Sequence, residues 1–89
     1  MKAVVTVVGK DRVGIIAKVS TLLCENNINI LDINQTIMQN IFTMIMLVDI
    51  KEASGDFASI SRTLEELGKE LGVEIRIQHE DIFNSMHKI

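Results

Sequence analysis

"GKDRVGIIAKVSTLLCENNINILDI", Gly9 to Ile33, decides the fold. It opens where a valine-rich run, Lys2 to Val8, ends, and it closes in an Asn-led run rich in Ile and Leu. Between them Ile15, Ile16, Val19, Leu22 and Leu23 recur at helical spacing. The spacing predicts a helix over Val13 to Glu25, stopped at Asn26-Asn27, because Asn tolerates left-handed backbone at a helix C-terminus. The β-branched runs on either side predict strands over 2–8 and 28–38. A charged turn, Gly9-Lys10-Asp11-Arg12-Val13-Gly14, joins strand to helix. It is either a tight connector or the edge of a ligand site.

The remaining chain repeats the unit. Gln39-Asn40 is a short polar break that fits a hairpin turn, and Ile41 to Ile50 reads as a third strand. After a polar loop from Lys51 to Gly55, Ser54 or Asp56 can cap a second helix. Its apolar positions Phe57, Ile60, Leu64, Leu67 and Leu71 form one stripe, and Gly72 ends it. Gly68 lies inside that helix at a cost of about 1 kcal/mol relative to Ala, which close backbone packing would explain. Apolar Val73, Ile75 and Ile77 alternate with polar residues up to Glu80, giving a fourth strand. The order is therefore β-α-β-β-α-β, the α+β ferredoxin-like sandwich, with a four-stranded antiparallel sheet and two helices on one face. Right-handed crossovers place the first and third strands centrally. Eighty-nine residues make one domain, 1–89, and Ile82, Phe83, Met86 and Ile89 suit a short tail over 81–89 docking on the body.

The predicted central strands are apolar on both faces: Val5 and Val7 against Val4 and Val8, then Ile45 and Leu47 against Met44, Met46 and Val48. Two helices cover one side of such a sheet, and the other is normally wet and polar. A second subunit, helped by the tail, is expected to cover it, with Met46 and Val48 taken as interface residues. The expected state is a homodimer or higher homo-oligomer.

Composition narrows the chemistry. With 47% apolar and 24% charged residues the chain is globular, and no apolar run reaches membrane-spanning length. The N-terminal run is too short and too β-branched for a signal peptide, so a cytoplasmic location is expected. A net charge of −3, scattered basic residues, and no Trp or Tyr argue against nucleic acid. The lone Cys24 reads as a small buried hydrophobe. The first turn is no phosphate loop, since no Gly-Lys-Ser/Thr follows. Acylphosphatases share the topology and use an Arg in this loop, but their glycine-rich signature is missing, and Arg12 and Lys10 read as solvated. His79 and His87 show no metal-ligand spacing with Cys24 or the acids, and no nucleophile–base set is spelled out. No catalytic residue, metal or cofactor is expected.

The strand, the turn Gly9 to Gly14 with Ile15-Ile16 after it, the helix, and Asn29-Ile30-Leu31-Asp32-Ile33 together resemble the ACT domain over nearly the whole chain. In particular they resemble the stand-alone bacterial members and, more distantly, one half of the glycine-cleavage regulators. The resemblance implies a regulatory module that binds an amino acid or similar metabolite in the first loop, where two domains meet. The backbone around Val13, Gly14 and Ile15 would hold the ligand carboxylate, Asp11 would face its ammonium, and Asn29 would add an amide contact. Each has a plainer rival. Asp11 can cap the first helix, Gly14 can serve close helix–sheet packing, and Asn29 can fix the turn after the helix. Gln35 and Thr36 can line the same interface or be solvated edge residues. A non-sensing module that docks on a partner enzyme or regulator is the alternative function.

Overall fold

A computed structural model describes residues 1–86. The elements follow in the order β1 (Lys2–Lys10), α1 (Ile15–Glu25), β2 (Asn29–Met38), β3 (Ile41–Asp49), α2 (Phe57–Leu71), β4 (Val73–His79) and α3 (Glu80–Met86). The antiparallel sheet has the order β2-β3-β1-β4, so β1 and β3 are central, as the crossover rule requires. The local signals act as read. Asn27 after α1 has φ 58°, and Gln39 and Asn40 both have positive φ (50° and 72°), the conformation a two-residue hairpin needs. The Asp56 carboxylate accepts from the Ser59 N–H at 2.8 Å, capping α2. Gly72, at φ 74°, closes α2 with its N–H on the Gly68 carbonyl. Asp49 turns the chain out of β3. Its carboxylate accepts from the Lys51 N–H at 2.9 Å, and that bond first of all holds its carboxyl below the ordinary range.

The core lies between the sheet and the helices. Ala3, Val5 and Val7 of β1, Phe42, Met44, Met46 and Val48 of β3, and Ile75 and Ile77 of β4 pack under Ile15, Val19 and Leu23 of α1 and Ile60, Leu64 and Leu71 of α2. Helix α2 sits close on β4. A Cβ on Gly68 would stand 2.6 Å from the Val73 carbonyl oxygen, so the in-helix glycine answers to packing. Met46 and Val48 therefore belong to the helix-covered core, which corrects their reading as interface residues. The register puts Val4, Thr6 and Val8 with Thr43, Ile45 and Leu47 on the opposite, open face.

Helix α3 packs on β1 and β4. Val4 is buried, whereas Val8 and Ile45 stay 46% and 41% exposed. Phe83 joins Thr6, Val8, Thr43, Ile45, Glu74, Arg76 and Gln78 around a shallow depression of about 520 Å³ on this face. The tail covers part of the open face and leaves its middle bare. His87 and Ile89 lie outside the described residues. Cys24 is exposed, against the expectation of burial. The buried stripe of α1 runs through residues 15, 19 and 23, and one further residue turns about 100° off it.

Candidate functional site

The turn after β1 is pinned from two sides. The Asp11 N–H donates to the Asn40 carbonyl at 2.9 Å, tying the turn to the β2–β3 hairpin. The Arg12 guanidinium donates to the Leu71 carbonyl at 2.9 Å. Leu71 is the last residue of α2, where carbonyls lack helical partners and the helix dipole is negative, so a cation is well placed there. Arg12 is therefore a structural clasp between the turn and α2, and not simply solvated. Orphan carbonyls before Gly72 were legible in the sequence, but nothing there said which cation would reach them.

The two glycines divide the work. Gly9 is a matter of space: a Cβ there would lie 2.6 Å from Val73 Cγ1. Gly14 is a matter of backbone: its φ is 93°, and a Cβ would meet nothing within 4 Å. Close helix–sheet packing is thus not its role. Gly14 is the N-cap of α1, and no side chain caps the helix. The first return bond runs from the Lys18 N–H to the Gly14 carbonyl at 2.9 Å. The N–H groups that open the first turn lack helical partners and stand behind a residue without a side chain, at the positive end of the helix dipole. Asp11 does not cap α1, which removes the plainer rival for it. Val13 is fully exposed at the tip, and Ile16 in the first turn is also exposed, so an apolar rim borders these donors. Ile15 is buried and turns its side chain into the core.

Asn29 stands elsewhere. It is in register with Asp49, which pairs with Lys2, whereas the turn follows Lys10 at the far end of β1. Eight residue steps at about 3.3 Å put roughly 26 Å between them along the sheet. Within one copy the structure brings Asp11, Val13, Gly14 and Ile15 together and leaves Asn29 apart. There Asn29 lines a groove of about 480 Å³ with Ser20, Cys24, Asn27, Ile28, Ile30 and Glu52. His79 stacks on Phe57, ring centroids 4.2 Å apart. Among the described residues no group of His, Cys, Asp and Glu could hold a metal ion, and no helix is long and apolar enough to cross a membrane.

The fold and this turn define a class. The profile described as ACT domain matches residues 2–78, and the chain belongs to the ACT domain family. A UPF0237 protein of Methanocaldococcus jannaschii is 59% identical over 88 residues, covering 99% of this chain and 98% of the relative. The solved ACT domain protein from Streptococcus pneumoniae superposes with a TM-score of 0.82 at 43% identity, covering 93% of each chain. The regulatory subunit of aspartate kinase from Thermus thermophilus, in its ligand-free form, superposes with a TM-score of 0.65 at 29% identity. That match spans 86% of this chain and 50% of the subunit. The chain is a regulatory module of the ACT type, related to ligand-binding regulatory domains.

Proposed function

We propose that this module senses an amino acid or a closely similar metabolite, binds it at the turn Asp11 to Ile15, and acts as a homo-oligomer. The observation that carries the reading is the first turn of α1, uncapped behind Gly14, beside a carboxylate, Asp11, that does not cap it. Helix N-termini of this kind suit a carboxylate. The backbone N–H groups around Val13, Gly14 and Ile15 take the ligand's carboxylate, and Asp11 takes its ammonium. Val13 and Ile16 favour an apolar side chain. A second copy supplies Asn29, since the copy's own Asn29 lies at the far end of the sheet. The exposed Val8 and Ile45 favour a second reading, in which the fold serves only to dock on a partner enzyme or regulator.

A thermal-shift screen of the standard amino acids separates the two. Ligand at a hundredfold excess over Kd stabilises the folded state by about 2.7 kcal/mol. For a domain this size that raises Tm by roughly 10–20 °C. One or a few apolar amino acids should do so. A flat screen leaves the docking reading.

A further inference from the structure

We propose that Arg12 is the positioning residue of the ligand turn, and that through it occupancy of the turn and order at the α2–β4 junction form one equilibrium. The inference deepens the amino-acid reading above and rests on it. The segment whose amides face a carboxylate in that reading is short. Ile15 anchors one end of it, buried in the core. Arg12 anchors the other, its guanidinium on the Leu71 carbonyl at 2.9 Å. Between them stand only Val13, fully exposed, and Gly14, at φ 93°. Glycine is the most permissive residue, so without the Arg12 anchor this stretch loses its fixed course. A ligand would then have to order it on binding, and ordering a loop costs affinity.

Where the guanidinium goes matters as much as what it holds. Arg12 follows Asp11 directly, and a guanidinium released from Leu71 is free to pair with that carboxylate. The negative end of α2 draws it away instead. Among the described residues the Asp11 side chain makes no ion pair or hydrogen bond, so it stays open to an ammonium.

The junction that Arg12 grips is closely built. Gly72 carries the chain from α2 to β4 at φ 74°, and Val73 pairs with Gly9 at the end of the β1–β4 ladder. A Cβ on Gly9 would stand 2.6 Å from Val73 Cγ1, and a Cβ on Gly68 would stand 2.6 Å from the Val73 carbonyl oxygen. Val73 is thus wedged between the residue that leads into the turn and the last turn of α2. The turn bears on the junction twice, through Gly9 and through Arg12, so neither shifts without the other. Binding that prefers the clasped turn must favour the clasp in return, by the same factor.

The test uses the whole chain and the standard amino acids, each titrated singly by calorimetry. For any that binds the unmodified chain, Arg12→Ala should raise Kd about tenfold, within the usual range of coupling between sites. Arg12→Lys keeps a charged donor for the Leu71 carbonyl and should recover most of that loss. Hydrogen exchange of the unmodified chain gives the second readout. The same amino acid, at saturation, should slow exchange of the Gly72 N–H, which is bonded to the Gly68 carbonyl, by a similar factor. The Ser59 and Ile60 N–H groups, bonded to Asp56 at the other end of α2, should change little. A purely structural Arg12 would lower Tm and move neither readout. The exchange arm needs no variant, so it holds even where Arg12→Ala folds poorly. Equal slowing at both ends of α2 overturns the proposal, as does an unchanged Kd in a folded Arg12→Ala chain, and the amino-acid reading then survives without it. Binding of no amino acid removes both, which keeps the two failures apart.

Discussion

Gly14 and Cys24 show how much a single residue's role depends on what surrounds it. At φ 93° Gly14 sits where a Cβ meets its own backbone, although nothing external crowds it. Gly14→Ala should therefore cost about 1–2 kcal/mol in urea unfolding, from backbone strain alone. A branched substitution adds steric block to that strain, so Gly14→Val would confuse binding with folding. Asp11 is the cleaner probe. Cys24 faces solvent. Cys24→Ser should shift stability by less than about 0.5 kcal/mol, and the native thiol should titrate fully with a disulfide reagent. Slow, unfolding-limited reaction would mean that the thiol is covered.

At the scale of elements, the last turn of α2 is held in two ways. Arg12 donates to its last carbonyl, and Gly68 lets it settle on β4. Arg12→Ala should cost about 1 kcal/mol, with faster hydrogen exchange in the last turn of α2, because a charge-assisted bond at a helix C-terminus is lost. Gly68→Ala gives a sharper result. Helix propensity alone would gain about 1 kcal/mol, but the new Cβ would be driven against the Val73 carbonyl oxygen. Net destabilisation of about 1–3 kcal/mol is expected by denaturant titration, and a gain would show that α2 can lift off β4 freely. These elements were legible because their signals are local. Stripe spacing, the Asp56 cap, Gly72 and the Gln39-Asn40 hairpin each act within a few residues. The clasp from Arg12 was not legible, since it joins residues 59 apart. Nor was the exposure of Cys24, because a helical stripe has an edge that spacing alone does not place.

For the whole molecule, the sequence shows two apolar faces on the central strands but not which one the helices take. The covered set is Met44, Met46 and Val48, and the open set includes Val8, Ile45 and Leu47. Met46→Glu should unfold the protein outright, since it buries an unpaired charge, whereas Ile45→Glu should leave the circular dichroism melt within a few degrees. An intact Met46→Glu protein would contradict the assignment of faces. The candidate site was half legible for a related reason. Its turn is contiguous in sequence, whereas the distance to Asn29 follows from strand direction. The central claim, that the turn after β1 binds an amino acid, is tested most directly by calorimetric titration of Asp11→Ala beside the unmodified chain, using the amino acid found by thermal shift. Losing a charge-assisted contact is worth about 1.5–3 kcal/mol, so Kd should rise about ten- to a hundredfold while Tm without ligand stays the same. An unchanged Kd in a normally folded variant would contradict the claim and leave the turn a connector.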